Sequence, residues 1–178
     1  MFLLDYLILE EEIERLSNIT EIEEFEQDLN TVLGQIQIVF NNEKEGFVDK
    51  DIPLGNEFLI TWFKRFDDVL IQLRSNEIVA LNMPHRDSVW LEFQMKNKFI
   101  EVSKVKAAKQ NNVYNFIETK PVNRAEILWK QAIKKEPFFK EILNKTENLL
   151  KDILLINPIL AESVEIKALL ARCEQIKS

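Results

Sequence analysis

Three side-chain types that serve hydrolytic enzymes lie close together in the stretch NMPHRDSVWLEF, residues 82–93. His85 is the only histidine of the 178-residue chain, and Asp87 and Ser88 follow it almost at once. A Ser-His-Asp triad requires each side chain to reach the next in a fixed geometry, which residues of one short loop rarely achieve. The stretch also lies between two alternating apolar and polar runs, where proline, aspartate and serine favour a turn. We therefore predict a turn without a catalytic role and expect His85 to be dispensable.

The residues that bind metals are scarce. A structural or catalytic zinc site needs about three or four nitrogen and sulfur ligands, and one histidine and one cysteine, Cys173, cannot supply them. Asp67 and Asp68 are adjacent on a predicted helix, so their side chains diverge, and Asp68 is expected to pair with Lys64 on the helix surface. We predict no metal site and no catalytic residues.

The glycines exclude the common nucleotide-binding loops. The chain has only Gly34, Gly46 and Gly55, which rules out a GxGxxG motif and a Walker loop. Cys173 falls on the apolar side of the last predicted helix and is interpreted as a small core residue. We expect no cofactor and no enzyme activity. The alternative is an enzyme, with or without a metal, whose carboxylates are scattered along the chain.

Acidic and basic residues are separated along the sequence. The net charge is −7, which argues against a nucleic-acid partner. Residues 10–28 contain nine acidic residues and one basic residue, whereas residues 96–151 contain thirteen basic and six acidic residues. The first segment either meets a basic protein partner or pairs with the basic region of its own chain. A merely solvated helix face is the third interpretation.

The acidic segment supplies the predicted binding residues. If it contacts a partner, we expect the contact to involve Glu21, Glu23, Glu24, Glu26 and Asp28. Opposite charge would speed the encounter with a basic protein and make it more selective. Thr20, with Glu23 three residues later, is expected to cap the helix that carries these side chains.

Aromatic and basic clusters elsewhere do not indicate nucleic-acid binding. Trp62, Phe63 and Phe66 have helical spacing, so we interpret them as core residues and not as a base-stacking platform. Lys104, Lys106 and Lys109 are interpreted as a solvated strand edge that discourages pairing. The start, MFLLDYLIL, lacks the basic region of a signal peptide, and LLKDILLINPILA is too short and too charged to span a membrane. With a single cysteine, the sequence predicts a cytoplasmic protein.

The order of predicted elements favours one α+β domain over residues 1–178. GQIQIVFNNEKEGFV is predicted to form a hairpin around Asn41, and residues 56–74 an amphipathic helix. Strands are expected at EIVALN, VWLEFQM and FIEVSKV, a further strand at NVYNFIET, and a short helix between Pro121 and Pro137. A long helix from PFFKEIL and a last helix after Asn157 complete the chain. We predict a mostly antiparallel sheet of five to seven strands, with a helix packed on one face and C-terminal helices.

Four stretches, GQIQIVFNNEKEGF, PLGNEFLITWF, IVALNMPHRDSVWLEF and INPILAESVEIKALL, together resemble a loosely defined group of small bacterial proteins. Members of that group are often encoded near polymorphic toxins and are taken for immunity proteins. The resemblance covers much of the chain from Gly34 onward and implies a non-catalytic protein that binds and neutralises a toxin. It carries no active-site residues. A structural or regulatory subunit of a larger assembly is a further alternative.

Overall fold

The structure, a computed structural model, describes residues 1–86, 88–108 and 116–178 of the chain. Its strands are β1 (Phe2–Ile8), β2 (Leu33–Phe40), β3 (Glu43–Gly46), β4 (Glu57–Phe58), β5 (Ile78–Asn82), β6 (Val89–Lys96), β7 (Phe99–Ala107), β8 (Ile117–Glu118) and β9 (Arg124–Lys134). Its helices are α1 (Glu10–Ser17), α2 (Ile22–Gln27), α3 (Leu59–Gln72), α4 (Lys135–Ile156) and α5 (Val164–Lys177), with a 3-10 helix at Pro158–Glu162. The strands form two antiparallel sheets.

The first sheet is built around β2. Its order is β1-β2-β3, and β4 also pairs with β2. The turn between β2 and β3 contains Asn41 at φ 55°, a left-handed conformation that asparagine adopts more readily than most residues. The predicted hairpin is therefore confirmed.

The second sheet has the order β8-β5-β6-β7-β9. The strands predicted over residues 77–105 are confirmed as β5, β6 and β7, and the tight β6–β7 turn contains Asn97 at φ 54°. The predicted strand at NVYNFIET appears in part as β8, while its residues 112–115 lie outside the described residues. Sequential antiparallel pairing of this kind is what short turns between strands favour.

The predicted helix between Pro121 and Pro137 is wrong, because this segment forms β9. Trp129 and Ile133 are four residues apart, a spacing that puts two side chains on one face in a strand as well as in a helix. Pairing with β7 favours the strand over the helix for this segment. The register shifts twice, so that Ala125 and Leu128 have no opposite residue in β7.

One hydrophobic cluster joins both sheets to α3, α4 and α5. The predicted stripe of α3 is buried in it: Leu59, Trp62, Phe63, Phe66, Leu70 and Leu73. Trp62 and Phe66 stack with ring centroids 5.8 Å apart, and the Trp62 indole N–H donates to Glu57 at 2.6 Å. The interpretation of these aromatic residues as core is confirmed.

Two side chains set the boundaries of the C-terminal helices. Asn157 Oδ1 accepts from Ile159 N at 3.1 Å, and Ser163 Oγ accepts from Glu165 N at 3.1 Å, as helix-capping residues do. Asn157 Nδ2 also donates to Leu16 O at 2.9 Å, which attaches the end of α1 to the end of α4.

The fold class is α+β, as predicted, with α3 against the sheets and two helices at the C-terminus. The strands divide into two sheets, whereas the sequence predicted one. In the part of the chain that the structure describes, no helix combines the length and the apolar character needed to cross a membrane.

Candidate functional site

His85 lies in the turn between β5 and β6. Its φ is 58°, its side chain is exposed, and its ring packs edge-on against Phe58 with centroids 4.7 Å apart. A backbone hydrogen bond from Arg86 N to Met83 O closes the turn. Asp87, the second member of the triad considered above, lies outside the described residues. The prediction of a turn is confirmed.

The adjacent aspartates of α3 have different surroundings. Asp68 accepts two hydrogen bonds from Arg172 of α5, with Nε–Oδ1 at 2.7 Å and Nη2–Oδ2 at 3.3 Å. The predicted pair of Asp68 with Lys64 is wrong, because the Lys64 ammonium reaches Glu165 of α5 instead. Both ion pairs fasten α3 to α5, and long-range pairing of this kind leaves no signal in local spacing.

Asp67 is fully buried between α3 and α4. Burial is the main cause that raises the pKa of its carboxyl group, to about 8. Thr146 Oγ1 lies 3.0 Å from both Asp67 Oδ1 and Ile142 O, but a hydroxyl has one hydrogen to donate. A proton on Asp67 would resolve this, because Asp67 could then donate to Thr146 while Thr146 donates to Ile142. Asp67 is a core residue whose burial favours the protonated form of its carboxyl group.

Cys173 is a core residue, as predicted. Cys173 is buried, and burial raises the pKa of its thiol to about 12, which makes it a poor nucleophile. Across the described residues, no group of three or more His, Cys, Asp or Glu side chains is arranged to hold a metal ion.

Glu45 of β3 joins the two sheets. Its carboxylate is within 2.5 Å of the Lys104 ammonium and 3.0 Å of Arg86 Nη1. Burial opposes its ionisation, but the two cations and the Trp129 indole outweigh burial and lower the pKa of Glu45. The interpretation of Lys104 as a solvated edge is wrong, since β7 lies inside its sheet. Lys106 is exposed, and Lys109 lies outside the described residues.

Part of the acidic segment is structural. Glu12 of α1 is buried, and its carboxylate accepts from Arg15 at 2.8 Å through both Nε and Nη2 and from Leu33 N at 2.8 Å. Arg15 also binds Asp28, with Nη1–Oδ2 at 2.7 Å. These contacts hold α1, the end of α2 and the start of β2 together.

The five predicted binding residues lie on or beside α2, and the structure gives them unequal roles. Glu21 and Glu23 are exposed, whereas Asp28 is bound to Arg15. The predicted cap by Thr20 is wrong, because the N-cap of α2 is Glu21 and its side chain makes no capping hydrogen bond; Glu24 instead accepts from Thr20 N at 2.9 Å. Glu26 accepts from Val164 N at 3.0 Å, at the start of α5.

Five glutamates of the segment are exposed and have no ion-pair partner among the described residues: Glu10, Glu11, Glu14, Glu21 and Glu23. We refer to them as the unpaired glutamates. Over the same residues, no side chain of 10–28 forms an ion pair with the basic region 96–151. The cations of that region bind elsewhere, for example Lys145 to Asp5 at 2.9 Å and Lys130 to Glu101 at 2.8 Å. The unpaired glutamates are thus available to a partner.

An apolar cleft lies beside α1. Ile13 of α1 and Leu155 of α4 line it and are 40% and 72% exposed, although both are large hydrophobic residues. Tyr6 closes one side by donating to Asp152 Oδ2 at 2.6 Å. Ile13 follows Glu10 by three residues, so the Glu10 side chain lies next to it on the same face of the helix.

Sequence reasoning missed this cleft, although a signal was present. The run DILLIN at the end of α4 has more apolar residues than one buried stripe can take, so one of them, Leu155, faces solvent. An exposed apolar centre with a charged margin is the usual composition of a protein interface.

Comparison with models of protein families, with curated proteins and with solved structures finds no match to this chain. The resemblance to toxin-associated bacterial proteins therefore stays a hypothesis, and the geometry described above is the basis for assigning a function.

Proposed function

We propose that this chain is an immunity-type protein that binds and neutralises a basic toxin domain without catalysis. The observation that carries the proposal is the set of unpaired glutamates, which no cation of the described fold neutralises. Ile13 and Leu155 would provide the apolar centre of the interface. The unpaired glutamate Glu10, three residues before Ile13, would lie at its margin.

The charge of the segment suits such a partner. Exposed charges attract an oppositely charged protein over roughly 8 Å at physiological salt and over about 30 Å at about 0.01 M salt. The main effect of the unpaired glutamates is therefore expected on the association rate, and that of Ile13 and Leu155 on the dissociation rate.

The first test is protection of cells. Growth is measured in cells that produce the toxic protein encoded beside this gene, with and without the chain. Under the proposal, the wild-type chain restores growth. A folded wild-type chain that gives no protection contradicts the proposal.

A charge-reversal variant tests the surface. Lysine replaces Glu11, Glu14, Glu21 and Glu23, which spares Glu24 and Glu26 because both make hydrogen bonds within the fold. We expect association with the toxin to slow by at least about tenfold, and the salt dependence of association to disappear.

The matched control reverses four exposed acids elsewhere, Asp51, Glu77, Glu126 and Glu136. It changes the net charge equally and should protect cells much as the wild type does. Equal protection by both variants would show that the acidic segment is not the binding surface.

A further inference from the structure

A pocket of about 450 Å³ lies on the outward face of α3. Thr61, Lys64, Arg65 and Asp68 line it from α3, together with Ile117 of β8 and the residue before it, Phe116. Residues three and four apart share a helix face, which explains why this part of α3 presents polar side chains while its other side enters the core. The pocket is far from the acidic segment in sequence and has the opposite charge.

Most charges at the pocket are paired. Lys64 binds Glu165, and Arg172 binds Asp68 through two hydrogen bonds. The charges of these four side chains cancel. Arg65 therefore supplies the net positive charge at the pocket.

Arg65 has no carboxylate partner among the described residues. Its Nη1 donates to Asn82 O at 2.6 Å, and its Cζ lies 4.1 Å from the centroid of the Phe116 ring. Asn82 N donates to Phe116 O at 2.8 Å, so the end of β5 positions both the carbonyl and the ring. Burial without a compensating acid lowers the pKa of Arg65 to about 10, and the guanidinium remains charged at neutral pH.

The other arginines show what is unusual here. Arg15, Arg86, Arg124 and Arg172 each bind a carboxylate. Arg74 donates to the carbonyls of Gln175 and Ile176 at the end of α5, where the helix dipole supplies negative charge. Arg65 has a single carbonyl and an aromatic ring, so most of its N–H donors are unused by the described protein.

We propose that this pocket binds a carboxylate attached to an apolar or aromatic group. The Arg65 guanidinium would bind the carboxylate in the planar, two-bond geometry that suits these groups. Phe116, which is 47% exposed, and Ile117 would contact the apolar part. The single unmatched charge favours a monoanion over a phosphate. This proposal does not depend on the toxin-binding function.

Titration of the intact chain with benzoate tests the proposal, with amide chemical shifts as the readout. We expect saturable shifts in α3 and at β8. Benzamide has the same shape without the charge and should bind at least about tenfold more weakly. Phenyl phosphate should not bind more tightly than benzoate. Equal binding of benzoate and benzamide, or tighter binding of phenyl phosphate, overturns the proposal.

Two arginine variants locate the site. Arg65→Gln should weaken benzoate binding at least about tenfold, and Arg74→Gln, the matched loss of an arginine without a carboxylate partner, should leave it unchanged. If Arg65→Gln does not fold, Arg65→Lys replaces it, and it should bind benzoate more weakly than the wild type because an ammonium lacks the planar two-bond geometry. Undiminished binding by a folded Arg65 variant overturns the proposal.

The carboxylate could belong to a small molecule or to the end of a protein chain. An acetylated tetrapeptide that ends in phenylalanine is compared with its C-terminal amide and with benzoate. Tighter binding of the free-acid peptide than of benzoate assigns the pocket to a protein C-terminus, whereas the reverse order assigns it to a small carboxylate. Failure of both acids to bind overturns the proposal and leaves the toxin-binding function unaffected.

Discussion

Glutamate has opposite roles in two regions of the molecule. One region is the contact between the two sheets, and the other is the acidic segment 10–28. Glu45 is buried between cations of the second sheet, and Glu92 of β6 accepts from Val122 N at 2.9 Å and Arg124 Nε at 2.7 Å. Glu11 and Glu14 carry the same group on α1, where both are exposed and have no ion-pair partner among the described residues. Burial with a partner makes a glutamate structural, and exposure without one makes it available for binding.

The same contrast between buried and exposed glutamates occurs at two adjacent positions, Glu11 and Glu12. Glu12 is 3% exposed and joins α1 to β2, while the neighbouring Glu11 is exposed. In sequence the two are indistinguishable members of the run EEE. The role of each carboxylate is decided by which side of the helix meets the fold.

The largest effect is expected at Asp67, a buried carboxyl group without a cation. Its pKa is raised from 3.8 to about 8, so the unfolded chain loses this proton near pH 4 while the folded chain retains it. The free energy of unfolding should therefore fall as the pH rises from about 4 to about 8, by an amount on the order of 5 kcal/mol. Denaturant titrations across this range measure the fall, and Asp67→Asn should abolish most of it. A wild type with constant stability over this range would mean that Asp67 is ionised in the fold.

The next largest effect on stability is expected at Glu12, and Glu11 serves as its control. Glu12→Ala leaves Leu33 N without its acceptor and removes one of the two carboxylates that bind Arg15, and it should cost about 1–3 kcal/mol of unfolding free energy. Glu11→Ala, its neighbouring control, should change stability by less than about 0.5 kcal/mol. Urea denaturation midpoints of the two variants give the comparison. Similar midpoints would remove the distinction between buried and unpaired glutamates.

A smaller effect is expected on the stability of the four-residue charge-reversal variant. Its side chains have no ion-pair partner in the described fold, so the main cost is the loss of negative charge near the starts of α1 and α2, about 1 kcal/mol. Thermal unfolding checks this value. A much larger loss would show that the unpaired glutamates stabilise the fold and would weaken their assignment to a partner.

The smallest effect is expected at His85. Replacing it with alanine removes one ring contact with Phe58 and should cost about 0.5 kcal/mol, with unchanged protection against the toxin. Growth assays and melting temperatures measure both quantities. Lost protection at an unchanged melting temperature would restore the enzyme hypothesis.

Local patterns predicted much of the fold. The α3 stripe from Leu59 to Leu73 and the turn at Asn41 depend on neighbouring residues alone, and both are as predicted. β9 was missed because Trp129 and Ile133 fit two periodicities. The division into two sheets, and the contact of Lys104 with Glu45, depend on pairing between distant segments that one sequence does not display.

The candidate site was predicted only in part. Composition drew attention to residues 10–28, and Glu21 and Glu23 are exposed there. Composition does not show that Asp28 forms an ion pair with Arg15 or that Glu26 contacts the start of α5. The unmatched charge of Arg65 depends on the positions of other elements, so only the fold reveals it, whereas the cleft at Ile13 has a partial signal in the apolar run at the end of α4.

The irregular pairing of β9 has a consequence for solubility. β9 is the last strand of its sheet, and Ile127 and Leu128 on it are exposed, a combination that invites other chains to add a strand and polymerise. The extra residues Ala125 and Leu128 bend the strand and interrupt the regular row of backbone groups that an incoming strand would need. We expect these two insertions to oppose the addition of a further strand at this edge.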